Sequence, residues 1–195
     1  GKKILFVATK KQAKILVAET AEALNMPYIT ERWPGGLLTN FATIRKSIKK
    51  MQIIDKMKEN GTFDSLSKRE RLQIDRQRAK LDLNLGSIVK MTRMPEAVFI
   101  VDTNKESIAL AESNKLGILS FAMNDTNTNP SQVNFPIPAN DDATKSIECI
   151  LSIVTKAITE GLEERNAEQD KKAVEKKEKA KKIAEGLEEK IAEKD

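Results

Sequence analysis

Along the chain, the first apolar run is Lys3-Ile4-Leu5-Phe6-Val7-Ala8, which predicts a short buried strand. Thr9-Lys10-Lys11-Gln12 follows in capping-box form, a hydroxyl with a glutamine three residues on. It predicts a helix in which Ile15, Leu16, Ala18, Ala23 and Leu24 recur among polar residues as far as about Asn25. Pro27-Tyr28-Ile29 predicts a second short strand. From Ala97 the same grammar resumes. Ala97-Val98-Phe99-Ile100-Val101 is a strand, Thr103-Asn104-Lys105-Glu106 has capping-box form, and Ile108, Leu110, Ala111 and Leu116 mark a helix that Gly117 ends at its C′ position. Ile118 to Ala122 predicts a further strand. Val133 to Ile137 predicts an edge strand, since its proline cannot donate to a ladder. Asn140 caps a long final helix through Ile147, Ile150, Leu151, Val154 and Ile158. Strands that alternate with helices predict an α/β fold, a parallel sheet with helices on both faces, assembled from residues 1–38 and 94–162.

Residues 39–93 interrupt this pattern. Phe41, Ile44, Ile48, Met51 and Ile54 recur at helical spacing, Gly61 breaks the run, Ser67-Lys68-Arg69-Glu70 has capping-box form, and Ile74, Leu81, Leu85 and Ile88 restore the spacing. This predicts an inserted antiparallel helical hairpin of coiled-coil type with a narrow apolar seam, projecting from the α/β domain. Each arm of some 20 residues would reach about 30 Å. Residues 163–195 are mostly Lys, Glu and Ala; Ala173, Ala180, Ala184, Leu187 and Ile191 fit an amphipathic helix, and a disordered, solvated tail fits the composition equally well.

Charge sharpens this division. The 195 residues hold 34 Lys and Arg against 29 Asp and Glu. Residues 45–93 carry 14 basic and 6 acidic groups, whereas residues 94–164 carry 4 and 11. A near-neutral total thus hides a basic middle, suited to a polyanion, and an acidic later half. There is no histidine, which removes Ser-His and Cys-His catalysis and most zinc sites. The single Cys149 allows no internal disulfide and fits a reducing compartment; its apolar surroundings predict a buried small hydrophobe. No apolar run is long enough for a membrane span, and no signal peptide is visible. The chain opens at Gly1 and runs straight into a strand, so a preceding N-terminal segment is expected to be missing.

A doubly wound sheet invites a nucleotide at its strand ends. The loop after the first strand, Ala8-Thr9-Lys10-Lys11-Gln12, nevertheless lacks glycine, and Gly35-Gly36 lacks the Lys-Ser/Thr ending of a P-loop. Lys10 and Lys11 at a helix N-terminus suit an RNA phosphate, with solvated first-turn residues as the bland alternative. Asp102 and Asp125 follow strands, but no nucleophile–base pair accompanies them, and turn chemistry accounts for both. No catalytic residue, cofactor or metal site is nominated. The hairpin gives the stronger signal. Arg45, Lys46, Lys49 and Lys50 cluster along one helix, and Lys68, Arg69, Arg71, Arg76, Arg78 and Lys80 along its return. Such arrays bind phosphates through counterion release, and arginine adds bidentate geometry. A solvated surface laced with intrahelical ion pairs is the competing reading.

Arg32-Trp33-Pro34-Gly35-Gly36-Leu37-Leu38-Thr39-Asn40-Phe41-Ala42-Thr43-Ile44-Arg45 resembles the signature of the bacterial small-subunit ribosomal protein two family. Matching segments continue in order through Gly61-Thr62-Phe63-Asp64, Asn84-Leu85-Gly86 and Pro138-Ala139-Asn140-Asp141-Asp142-Ala143, so the resemblance covers about residues 1–162. It implies a flavodoxin-like domain with a protruding hairpin and a structural, non-enzymatic role on the cytoplasmic ribosome. Small-subunit rRNA would be the partner, its phosphates met by the hairpin and by the Lys10-Lys11 and Arg32 region, and DNA would not. Neighbouring ribosomal proteins would be partners as well, ribosomal protein one among them in many bacteria. The family's histidine-containing N-terminal region is missing here, and the charged extension is no part of its core pattern. Within the signature, Gly35-Gly36 permits a tight backbone path, and Trp33 either packs under the hairpin base, the preferred reading, or stacks on a nucleotide base. Two rivals remain: a small-molecule-binding α/β enzyme using a pocket near Thr9, Asp102 and Asp125, and a coiled-coil protein-interaction module.

Overall fold

A computed structural model describes residues 2–167. Strands β1 (Ile4–Val7), β2 (Tyr28–Ile29), β3 (Ala97–Val101), β4 (Leu119–Asn124) and β5 (Phe135–Pro138) form one sheet in the order β2-β1-β3-β4-β5. All four neighbouring pairs are parallel. Helices α1 (Lys11–Ala23), α2 (Phe41–Glu59), α3 (Lys68–Leu85) and α4 (Ser107–Leu116) lie in the connections. From β1 the chain winds one way through α1, and from β3 it winds the other way through α4. Right-handed crossovers therefore put those helices on opposite faces. This is the flavodoxin-like α/β order.

The described chain divides into two units, one ending at residue 152 and one beginning at residue 153. The first ends in a helix that opens at residue 144; the second is described to residue 167 and is helical over that stretch. The predicted stripe from Ala173 to Ile191 lies outside the described residues.

Alternation along the strands sorts side chains to two faces. Leu5, Val7, Ile29, Val98, Ile100 and Ala122 join Ala109 and Leu110 of α4 in one core cluster. On the other face, one register row places an aromatic ring on every strand: Tyr28, Phe6, Phe99, Phe121 and Phe135. Phe6 and Phe99 are buried with centroids 5.6 Å apart, and Phe121 and Phe135 stack at 4.6 Å. Full burial of such a side chain is worth roughly 1.5–3 kcal/mol.

The hairpin is anchored in the first of these clusters. Ile48, Leu85 and Ile88 belong to it, and Phe41, Ile44 and Leu81 pack against it. Beyond that base the seam continues through buried Met51 and Ile54. The arms run antiparallel: Asp55 pairs with Arg78 at 2.9 Å, and Lys58 pairs with Asp75 at 2.6 Å. Gly61 turns the chain between them at φ 72°, a left-handed conformation that glycine adopts freely. Ser67 and Glu70 close both halves of the predicted capping box at the start of α3.

The other two predicted boxes do not form. Lys10, with extended backbone, stands at the N-cap of α1, and no side chain caps that helix. Thr9 instead donates its N–H, at 3.0 Å, and its hydroxyl to Glu106. Glu106 itself is the N-cap of α4, and Asp102 caps the preceding turn by accepting the N–H groups of Asn104 and Lys105. Thr9 and Glu106 each had a local partner on paper and took each other across the sheet, a competition that a local pattern cannot register. Cys149 is exposed, against expectation. The buried positions of its helix are Ile147 and Leu151, and Cys149 sits midway, about 200° round from each.

Candidate nucleic-acid interface

The segment between β2 and α2 is built around one carboxylate. Glu112 lies in α4 with 8% of its surface exposed. Its Oε1 accepts the Trp33 indole N–H at 3.1 Å and the Gly36 N–H at 2.7 Å. Its Oε2 accepts the N–H groups of Leu38 and Thr39 at 2.9 and 3.0 Å and the Thr39 hydroxyl at 3.1 Å. Burial pushes this carboxyl up. The hydrogen bonds from Thr39, Trp33, Gly36 and Leu38 outweigh it and hold the group below the usual carboxylate range. Trp33 therefore packs in the core beside the hairpin base, as preferred from sequence, and its ring is not available to a nucleotide base.

Gly36 has φ 81°, and a Cβ there would lie 3.3 Å from the Asn40 Cβ; one added at Gly35 would meet nothing within 4 Å. The tight backbone path thus depends on the second glycine. Arg32, one residue before Trp33, is held at the surface.

The nominated cations separate into two groups. Lys11, Arg32, Lys46, Lys49, Lys50, Lys68, Arg69, Arg76 and Lys80 are exposed. The other four have partners within the chain. Arg45 donates to the carbonyls of Val89 and Met91 at 3.4 and 3.2 Å, tying α2 to the segment that leads into β3. Arg71 pairs with Asp64 at 3.6 Å. Arg78 bridges Asp55 and Asp82, and its hydrogen bond to Asp55 leads in raising its pKa. Lys10 meets Asp102, Asp141 and Asp142 at 3.1, 2.7 and 2.6 Å. Burial pulls the Lys10 ammonium down, but the three carboxylates lift it well above the ordinary lysine value. Surface pairs of the Arg71 kind are worth little, whereas Asp102 and Asp141 are nearly buried and depend on Lys10.

Helical spacing places Lys46, Lys49 and Lys50 opposite the buried Ile48, Met51 and Ile54, so they line the outward face of α2. Arg69 and Arg76 likewise line the outward face of α3. The hairpin thus carries cations on both outer sides and its apolar seam between.

At the strand ends, Asp125, Asp141 and Asp142 bring one oxygen each within 4.8 Å of one another, a set able to hold a cation; Lys10 already supplies a positive charge against two of them. Sequence reasoning missed Glu106, Glu112 and Asp141 as organising groups. Their signal was weak: an acid inside an otherwise apolar helix face for Glu112, and an acid in capping-box position for Glu106.

The family model for ribosomal protein S2 matches residues 1–161. The chain belongs to the ribosomal protein S2 family. Its members include the small ribosomal subunit protein uS2 of Flavobacterium johnsoniae, 64% identical over 175 residues, covering 90% of this chain and 69% of that protein. The uS2 of Parabacteroides distasonis is 64% identical over 169 residues, covering 87% and 61%. That of Christiangramia forsetii is 62% identical over 182 residues, covering 93% and 60%. This chain therefore spans between 60% and 69% of the length of these relatives. The S2 match takes in the Arg32–Arg45 signature, the hairpin and the whole parallel sheet. No helix among the described residues is long and apolar enough to cross a membrane.

Proposed function

We propose that the protein is a structural, non-catalytic constituent of the small ribosomal subunit on cytoplasmic ribosomes. It binds small-subunit rRNA and sits among other ribosomal proteins, with ribosomal protein one a candidate neighbour. The observation that carries this reading is the outward face of α2, where Lys46, Lys49 and Lys50 are exposed on a helix whose opposite side is fixed in the core. Phosphates meet a rigid array there and release counterions on binding. Lys11 and Arg32 add exposed cations outside the hairpin; Lys68, Arg69 and Arg76 stand exposed on its other arm. Lys10, Arg45 and Arg78, nominated from sequence as direct contacts, act by positioning, since each already holds partners within the chain, whereas Arg71 makes a weak surface pair that leaves it able to meet phosphate.

The rival enzyme reading loses ground at the strand ends. In the loop that leads into α1, beside where such a fold would hold a phosphate, the Thr9 N–H is given to the Glu106 carboxylate.

Sedimentation of lysate on sucrose gradients, with and without RNase, tests the proposal. The protein should co-migrate with small subunits and lose that position after RNase. Changing Lys46, Lys49 and Lys50 to Glu should weaken rRNA association and lower the log–log salt slope by about 2–3, at a little under one unit per phosphate contact. A slow, RNase-indifferent peak would refute the ribosomal reading. Unchanged incorporation of the triple variant would remove α2 as the anchor.

A further inference from the structure

The outward face of α3 differs in kind from that of α2. Leu72 and Leu83 are 51% and 65% exposed. They stand three turns apart on nearly one line along the helix, about 16 Å from each other. Arg76 lies between them close to that line, Lys80 flanks it about 60–80° round, and Arg69 lies one turn before, all exposed. No acid joins this stripe, because each acid of α3 is engaged elsewhere: Glu70 with Ser67, Asp75 with Lys58, and Asp82 with Arg78. On α2 the only comparably exposed aliphatic residue is Ile53, set among Lys46, Lys49, Lys50 and Lys56.

We propose that the α3 stripe from Arg69 to Leu83 docks an acidic, amphipathic helical segment of a neighbouring protein. The inference rests on the ribosomal reading and divides the hairpin between two partners, RNA phosphate on α2 and protein on α3. Two leucines held three turns apart gain nothing from a phosphate backbone, which would strip their water and return no apolar contact. A helix that presents two apolar residues at matching separation buries both. The cations between and beside the leucines select for acids flanking those residues, so the stripe reads charge and apolar spacing together. The carbonyl and carboxylate partners of Arg45 and Arg78 hold the hairpin in shape and leave this face free.

Photo-crosslinking in intact small subunits carrying the full chain tests the division. A p-benzoylphenylalanine in place of Ala79, between Arg76 and Lys80, should form an adduct with a protein. The linked peptide, identified by mass spectrometry, should be acidic and amphipathic. The adduct should fall at least tenfold in a Leu72→Ser/Leu83→Ser double variant and persist in the Leu72→Met/Leu83→Met counterpart. Both pairs are surface changes, and unchanged helical circular dichroism verifies the fold. The same photoreactive group in place of Ile53 should link to rRNA in every background. An RNA adduct from position 79, a protein adduct indifferent to the serine variant, or no adduct there would overturn the proposal. Loss of the RNA adduct from position 53 would instead count against the RNA reading of α2.

Discussion

Replacing Glu112 with Gln exchanges one carboxylate oxygen for an NH2 group in a side chain of nearly the same shape, and its cost follows from the five hydrogen bonds at that carboxylate. An amide offers one acceptor oxygen and one NH2 group. Its nitrogen must face either the Trp33 and Gly36 donors or the N–H groups of Leu38 and Thr39, so two N–H groups lose their acceptor in either orientation. A buried donor left without a partner costs about 1–3 kcal/mol, and the surviving bonds lose their charge-assisted strength. Destabilisation should therefore be at least about 2 kcal/mol, or a fall in Tm of about 4–8 °C or more for a chain of this size. Thermal melts followed by circular dichroism measure it, with the exposed Glu19→Gln as control. Hydrogen exchange should localise the loosening to the amides of residues 36–39. The pH dependence has a definite sign. Because the folded-state pKa of Glu112 is depressed, its contribution is complete above the ordinary glutamate value and disappears as pH falls through the depressed value. Wild type should thus lose more stability on acidification than the Gln variant. A variant whose Tm stays within about 2 °C of wild type would refute the account of the loop as organised by this carboxylate.

Gly36→Ala should cost about 1–2 kcal/mol in urea unfolding, since alanine must adopt φ 81° and place its Cβ 3.3 Å from that of Asn40. Gly35→Ala, with open space around its Cβ, should stay within about 0.5 kcal/mol, so equal effects at the two glycines would contradict the structure. Lys10→Met leaves Asp102 and Asp141 nearly buried without their cation and should destabilise by about 3–5 kcal/mol, read from denaturant midpoints at neutral pH. With the Lys10 pKa raised, its contribution is fully present below the ordinary lysine value and is lost only as strongly alkaline pH passes the folded value. A midpoint that does not move at neutral pH would show those carboxylates to be satisfied without it.

Features governed by local spacing were legible in the sequence. The hairpin seam, the turn at Gly61, the Ser67–Glu70 box and the left-handed Gly117 each depend on residues a few positions apart, and each stands where it was expected. Strand identity was legible for the same reason, the apolar runs of β1 and β3 being buried almost throughout. What escaped is non-local. Nothing near Glu112 in sequence points to Trp33, and nothing near Thr9 points to Glu106; their separations are 79 and 97 residues. Of the candidate cations, exposed Lys49 and engaged Arg78 look alike in a charge count. Only the packed hairpin tells a cation spent on the fold from one offered to a partner.

The strand ends carry the argument from fold to function furthest. In a sheet of order β2-β1-β3-β4-β5, the chain leaves β1 and β3 in opposite directions, and the crevice between their carboxyl ends is where such folds take a ligand. Here Thr9, Lys10, Asp102 and Glu106 of that crevice already have partners from the same chain. The Glu106 carboxylate receives Thr9, in the place a phosphate would take. Lys10 turns to Asp102, which holds φ 69°, a costly conformation for a residue other than glycine, while its other oxygen caps the turn into α4. Such an arrangement cross-links β1, β3 and the Asp141–Asp142 turn, and it stiffens the end of the sheet. A stiff sheet end suits the proposed scaffold: beside it the Glu112 carboxylate of α4 fixes the signature loop, the loop fixes the base of α2, and the lysines proposed to meet phosphate stand on that rigid base.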